Sequence, residues 1–154
     1  MYHRIGTYDG RVPLSDLAKR FLDFDVAWTP SDYGTTLEHR AEIRDGYRDE
    51  LAGVLPGEWV ASMLVLLRPG GTIRFHTDVP EREGLTRYHV VLATNDRCWN
   101  YHDGSWQQLE LGGIYTVDAS LEHASINLGD AMRVHLVADI ATANVPALAV
   151  GRSI

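Results

Sequence analysis

In the segment IRFHTD an imidazole and a carboxylate, His76 and Asp78, stand two residues apart. In an extended chain that spacing puts both on one face, with Arg74 beside them. A third group of similar chemistry, His123, follows much later in ASLEHASIN. Two imidazoles and a carboxylate can fill three adjacent corners of an octahedral metal and leave the other corners for water or ligand. That donor set suits Fe(II) oxygen chemistry, but the same atoms can hold Zn, Mn or Ni, so ligand type alone does not choose the metal. Each residue also has an ordinary use. A histidine near a turn is commonly a surface hydrogen-bonding group, and Asp78, ahead of VPEREG, can accept turn hydrogen bonds.

Two further segments place costly groups inside apolar sequence. TRYHVVLA alternates so that Arg87, His89 and Val91 share one face, and AMRVHLVAD does the same for Arg133, His135 and Val137. A solvated outer face of an antiparallel sheet would explain either strand alone. If these faces are buried, each guanidinium needs an anion, because an unpaired buried charge costs on the order of several kcal/mol. The anion can be a protein carboxylate or a bound ligand. A dicarboxylic co-substrate beside a metal would use both strands, with Arg87 and His89 at one carboxylate and Arg133, deeper, at the other. Arg74 and Asn100 are candidates to face the same pocket, and His102 and Trp106 candidates for its rim.

These groups need strands to carry them. From Trp59 onward, apolar runs at 59–67, 72–77, 86–93, 97–102, 105–109, 113–117, 123–126 and 131–139 read as short strands. Most are separated by turn signals, among them RPGG, PEREG, ATND, HDGS, LGG and NLGD. No stretch of crossover length interrupts them, which argues for an antiparallel jelly roll rather than a parallel sheet. The earlier chain has a different period. PLSDLAKRFLDFD places Leu14, Leu17, Ala18, Phe21 and Leu22 on one helical face, and TTLEHRAEIRDGYRDELAGVL repeats the pattern through Leu37, Ala41, Arg44, Tyr47 and Leu51. The expectation is a mainly β single domain over residues 1–154, with a helical part at 1–56 packed on one sheet and a jelly-roll core at 57–140.

Composition excludes several classes. The 154 residues carry a net charge of −7, which disfavours nucleic acid as a partner. Lys19 is the only lysine, so nearly every cation is an arginine, the side chain whose planar fork fits carboxylates. Cys98 stands alone, so no internal disulfide forms, as suits a reducing compartment. No apolar leader is visible at the start, and WVASMLVLL is too short to cross a bilayer as a helix. A cytoplasmic protein acting on a small molecule, without membrane or nucleic-acid partners, is the expectation; the oligomeric state is not encoded in any pattern here.

Taken together, HTD, RYHVVLATNDRCWNYHDG, LGGIYTVDASLEHASINLGD and MRVHLVADI resemble the aspartyl/asparaginyl β-hydroxylase family over roughly residues 59–140. The resemblance implies a double-stranded β-helix (a cupin-like jelly roll) and a dioxygenase dependent on Fe(II) and 2-oxoglutarate. It implies His76 and His123 as iron ligands, Arg87 and His89 near the keto-acid end of 2-oxoglutarate, and Arg133 at its far carboxylate. Asn127 falls at a position that is either structural or substrate-facing, and His135 and Asp139 at polar positions of the last strand. One departure stands out. The aspartyl/asparaginyl hydroxylases carry glycine where this chain has Asp78, whereas oxygenases of the same superfamily that act on free amino acids such as proline keep the carboxylate. A small amino acid or an amino-acid derivative is therefore the expected substrate class. A cupin-type metal enzyme of another kind (dioxygenase or isomerase) and a non-enzymatic small-molecule-binding jelly roll are the alternatives.

Overall fold

The computed structural model describes residues 1–7, 29–40, 55–78 and 84–141. They form ten strands: β1 (His3–Thr7), β2 (Thr29–Pro30), β3 (Gly34–Arg40), β4 (Glu58–His76), β5 (Leu85–Ala93), β6 (Cys98–His102), β7 (Ser105–Gln107), β8 (Gly113–Val117), β9 (His123–Asn127) and β10 (Arg133–Ala141). All pairings are antiparallel, in the order β1-β8-β5-β10-β4-β9-β6-β7, with β2 and β3 joined to the sheet through β4.

One long strand makes the two halves of this order face each other. The first part of β4 pairs with β10 and the last part with β9. Between them lies RPGG, which the sequence suggests is a turn separating two strands; β4 instead runs through it as a corner. Gly70 takes a φ of 77°, and a Cβ on Gly71 would lie 2.4 Å from Thr36 Oγ1 and 2.8 Å from the Arg68 carbonyl. Only glycine fits that close approach. Strands that switch sheets at such a bend give the jelly roll its two walls. Contacts across the interior confirm the facing arrangement, since Arg133 on β10 reaches Asn100 on β6, far along the strand order.

Strand alternation divides the labour within the first wall. One face of β10, β5 and β4 is the apolar core, with Leu64, Leu66, Tyr88, Val90, Leu136, Ala138 and Ile140 all buried. Each large aliphatic there contributes about 1.5–3 kcal/mol of burial. The other face carries Arg87, His89, Arg133, His135 and Asp139. The polar interior is thus held by a greasy layer one side chain away, which lets the wall tolerate groups that a small core would reject.

The helical N-terminal part is corrected where the structure speaks. Residues 35–40, expected to open a helix, belong to β3, which pairs along β4 from Gly34 opposite Ile73 to Arg40 opposite Leu64. The open edge of β4 offers ladder hydrogen bonds that a helical period cannot see, and Thr36, with a φ of 46°, forms the bulge between Thr35 and Leu37 that lets the pairing continue. β1 and β2 were likewise unsignalled. Among the described residues there is no helix; the expected helix over 13–25 and the remainder of the second lie outside them. No helix among the described residues is long and apolar enough to cross a membrane.

Asn127 shows how the second wall is tied to the corner. Its amide donates to the Leu67 carbonyl at 3.0 Å and the Ala131 carbonyl at 2.9 Å, and its oxygen accepts from Asn95 and from the Gly129 N–H. Every one of its contacts is structural.

Candidate active site

His76 ends β4 and His123 opens β9, and the two are paired directly across the ladder. Asp78 follows β4, its backbone N–H donating to the Ala119 carbonyl at 2.8 Å, which turns the carboxylate toward the histidines. One ligand atom from each of His76, Asp78 and His123 lies within 4.8 Å of the others. His76 Nε2 is 3.7 Å from one Asp78 oxygen and His123 Nε2 3.3 Å from the other.

The tautomers are set by the backbone. His76 Nδ1 is 2.7 Å from the Arg74 carbonyl and His123 Nδ1 is 2.8 Å from the Leu121 carbonyl. A carbonyl only accepts, so Nδ1 of each ring carries the hydrogen and Nε2 turns toward the carboxylate. With Nδ1 so committed, Nε2 of each ring presents its lone pair beside the Asp78 oxygens, an arrangement a metal ion would satisfy. A ligating histidine anchored at its other nitrogen is the usual arrangement at metal sites. The donor set therefore fits a divalent transition metal.

Arg87 braces the carboxylate. Its Nε and Nη2 donate to the two oxygens of Asp139 at 2.8 and 2.9 Å, a two-point fork, and its Nη1 donates to Asp78. The register explains the fork, because Arg87 and Asp139 are direct partners between β5 and β10. Among the described residues, two of its five N–H groups are left over. Burial would pull the Arg87 pKa down, but the Asp139 hydrogen bond and charge overcome this and raise it. Asp78 shows the mirror image: burial pushes its pKa up, and the His123 hydrogen bond followed by the Arg87 charge hold it at about 2.

Deeper in the barrel the charges no longer balance. Arg133 is 2% exposed and donates to Asn100 Oδ1 at 3.0 Å and Ser125 Oγ at 3.2 Å, while its Nε has no partner among the described residues. Among the described residues no carboxylate lies within ion-pair distance of it. Burial accordingly lowers its pKa, the largest cause, against opposing contributions from Tyr2 and Cys98. Ser125 lies two residues along β9 from His123, so about one pleat, ~7 Å, separates the level of the histidines from the level of Arg133.

His89 lies between these levels. Its Nδ1 is 3.1 Å from Nδ1 of His135, so one ring donates to the other, and His135 Nε2 is buried without a partner among the described residues. Burial holds both imidazoles well below their ordinary pKa, His89 helped by Arg87 and Arg133, His135 by Arg133 and His89. A depressed histidine supports the fold fully above its unfolded pKa of ~6.5, and that support is lost as pH falls toward the folded value. Stability is therefore expected to drop from about pH 6.5 downward, by up to ~1.4 kcal/mol per pH unit for each ring. His135→Gln, which keeps a hydrogen-bonding partner for His89, should remove about one of the protons taken up on unfolding. Urea unfolding at pH 7, 6 and 5 measures it.

The remaining sequence candidates separate cleanly. Asn100 and His102 are buried on the inner face of β6, Asn100 against Arg133 and His102 against the Asp118 carbonyl. Trp106 is paired with Tyr101 on the opposite face and is half exposed, so it lies away from the interior. Arg74 lies at the mouth, where it donates to the Asp32 carbonyl and covers the Tyr33 ring at 5.1 Å; that ring is 5.0 Å from His76. Sequence reasoning missed Ser125, missed Tyr2, whose ring packs on His89, and missed the partner of Asp139. Ser125 had a signal, being two residues from His123 in an alternating strand. Asp139 was recognised as a polar strand residue, but its pairing with Arg87 depends on a register that no local pattern gives. Tyr2 had no signal at all.

Comparison with known proteins agrees with this architecture. An L-proline cis-4-hydroxylase from Rhizobium meliloti (strain 1021) is 35% identical over 72 residues, which is 46% of this chain and 26% of that protein, so the match spans about a quarter of the relative's length. Among solved structures, the polyketide cyclase RemF from Streptomyces resistomycificus superposes with a TM-score of 0.53 at 12% identity, covering 76% of this chain and 75% of the other. A cupin-like protein from Thermotoga maritima gives 0.52 at 15% identity, over 77% and 80%. At such identities these structures speak for the cupin-like jelly-roll fold alone. The family model for aspartyl/asparaginyl beta-hydroxylase matches residues 54–143, from just before β4 to just after β10. The matched segment thus includes both histidines, Asp78, the half-buried Arg87 and the buried Arg133, and the chain belongs to the aspartyl/asparaginyl β-hydroxylase family.

Proposed function

We propose that this chain is an Fe(II)- and 2-oxoglutarate-dependent dioxygenase that hydroxylates a small amino acid or an amino-acid derivative. The observation that carries the reading is Arg133, a buried guanidinium with no carboxylate partner among the described residues, one pleat below a His-Asp-His cluster. A folded chain leaves a charge in that state when a ligand completes it. A diacid with its keto end at the cluster and its tail at Arg133 does so. When bound, iron supplies the chemistry that side chains lack: it couples oxidative decarboxylation of 2-oxoglutarate to insertion of oxygen into a C–H bond.

The chain's own part is geometry and enclosure. His76, Asp78 and His123 hold the metal on one side, each ring fixed by its backbone carbonyl. Arg87, clamped by Asp139, keeps Asp78 ionised and aimed, and its two remaining N–H groups face the proximal carboxylate of the co-substrate. His89, kept neutral, offers a hydrogen bond there without adding a further charge. Arg133 takes the remote carboxylate. The similarity to an L-proline hydroxylase and the retained Asp78 both favour a free amino acid over a protein side chain, with the substrate entering past Tyr33 and Arg74.

Anaerobic titration with Fe(II), with and without 2-oxoglutarate, tests the reading. A weak visible charge-transfer band that needs both components is the expected result, followed by succinate formation stimulated by one of a panel of amino acids beginning with L-proline. A metal that binds while 2-oxoglutarate changes nothing would point to another kind of cupin enzyme. Absence of metal binding would leave a small-molecule-binding jelly roll.

A further inference from the structure

The mouth of the site carries a third arginine, and a short run of packed groups ties it to the candidate metal ligands. Between Ile73 and His76 the ladder of β4 with β9 slips. Three steps along β4 oppose the two from Ser125 to His123, so β4 holds one extra residue there. Such a bulge bends the strand and re-aims its side chains. Arg74 lies inside it, exposed, two residues before His76. Its guanidinium covers the Tyr33 ring at 5.1 Å, that ring lies 5.0 Å from the His76 ring, and His76 lies 4.2 Å from His123. The cation is therefore two ring contacts from the His-Asp-His cluster.

Tyr33 is held in place without help from the guanidinium. The Arg74 N–H donates to the Tyr33 carbonyl at 2.8 Å, and the Tyr33 N–H donates to Ser31 Oγ at 3.3 Å. Beside it Gly34 approaches β4 so closely that a Cβ would lie 1.7 Å from the Thr72 carbonyl oxygen, a place only glycine can take. Among the described residues the guanidinium has one hydrogen-bond acceptor, the Asp32 carbonyl, and no carboxylate pairs with it. Further in, the ionised side chains cancel, Asp78 and Asp139 against Arg87 and Arg133. A divalent ion and a diacid cancel as well. Arg74 is the cation left over, exposed at the mouth with most of its fork unused.

We propose that Arg74 receives the α-carboxylate of the amino-acid substrate, with Tyr33 as the aromatic platform along which the substrate's carbon chain reaches the metal site. An arginine fork fits a carboxylate at two points, and the ring face beneath it holds a side chain that otherwise moves freely. The mouth then selects a free amino acid by its carboxylate and rejects the same residue within a polypeptide, where that group is an amide. The inference deepens the reading of the chain as an amino-acid hydroxylase and rests on it; the assignments of His76, Asp78, His123 and Arg133 do not depend on Arg74.

The test is calorimetric binding to the full chain loaded with Mn(II) and 2-oxoglutarate. The probes are L-proline and L-prolinamide, in which a neutral amide replaces the carboxylate. The unmodified protein should bind the acid at least about 10-fold more tightly than the amide. Arg74→Met should weaken L-proline about 10–100-fold, leave 2-oxoglutarate affinity unchanged and abolish the preference over the amide. Arg74→Lys, which keeps the charge but not the fork, should fall between the two. Tyr33→Leu should weaken L-proline several-fold through loss of the ring beneath the guanidinium. Both side chains are exposed, so all three variants should keep the thermal midpoint of the unmodified protein. Where L-proline gives no heat, the other standard L-amino acids are compared with their amides in the same way. Three results overturn the inference while the co-substrate assignment stands: no preference for the acid in the unmodified protein, a preference retained in R74M, or no amino acid bound by a protein that does bind 2-oxoglutarate. Failure of the unmodified protein to bind 2-oxoglutarate overturns both.

Discussion

Replacing Arg133 with methionine is expected to weaken 2-oxoglutarate binding by at least about 100-fold, the effect of truncating one member of a buried charge pair at 2–5 kcal/mol. Iron binding should survive, since the guanidinium lies a pleat away from His76, Asp78 and His123. The informative part is the sign of the stability change. In the ligand-free protein Arg133 is a buried cation with two neutral acceptors and an Nε unpaired among the described residues. Methionine fills much of the same volume without the charge. Asn100 and Ser125 each lose a donor, at about 1–3 kcal/mol, yet removing a poorly compensated buried charge offsets a loss of that size. R133M should therefore melt no lower than the unmodified protein when both are free of ligand. Adding 2-oxoglutarate should raise the midpoint of the unmodified protein through mass action and leave that of R133M where it was. A structural arginine would give the reverse pattern, with a fall in midpoint and no dependence on the diacid. The two thermal curves, with and without ligand, separate the cases without any turnover assay.

What the sequence made legible follows from what local patterns encode. Period-two alternation placed Arg87 and His89 on one face of β5, and Arg133 and His135 on one face of β10, because alternation survives whatever the strand pairs with. The polar intrusions were visible for the same reason. Partners were not. That Asp139 would answer Arg87 while nothing charged among the described residues would answer Arg133 depends on the register between β5 and β10 and on which wall faces which, neither of them a local property. The β3 error has a similar origin. Thr35–Arg40 carries apolar spacing compatible with a helix, but the edge of β4 outbids that period once the barrel exists. At RPGG the signal was correct chemistry with the wrong consequence: the glycines do bend the chain, and the ladder continues through the bend. Tyr2 marks the limit, since a lone aromatic ahead of a short strand is unremarkable until a glutamine from β7 clamps it.

The second large effect belongs to Asp78, the residue at which this chain departs from the glycine of the aspartyl/asparaginyl hydroxylases it resembles. Asp78→Ala removes one of the three proposed metal ligands. It is expected to lower metal affinity by at least the ~10–100-fold that changes one shell further out produce, and to abolish hydroxylation. The fold should persist, because Arg87 retains its fork on Asp139 and the Asp78 side chain is 25% exposed. The pH dependence gives an independent check on the metal-free protein. A carboxyl depressed to about 2 supports the fold fully above its unfolded value of ~3.9 and loses that support as pH falls through the folded one. The acid-unfolding curves of D78A and the unmodified protein should therefore differ by a constant amount above about pH 4 and converge toward pH 2. Asp139→Asn supplies the contrast. It removes one acceptor and the charge from the fork on the half-buried Arg87, at about 1–3 kcal/mol, while leaving His76, Asp78 and His123 in the chain. D139N should thus cost mainly stability and D78A mainly metal. If D78A bound metal as tightly as the unmodified protein, measured by competition with a chromogenic chelator, Asp78 would be a counter-ion for Arg87 and the site a two-histidine centre like that of the family's glycine-bearing members.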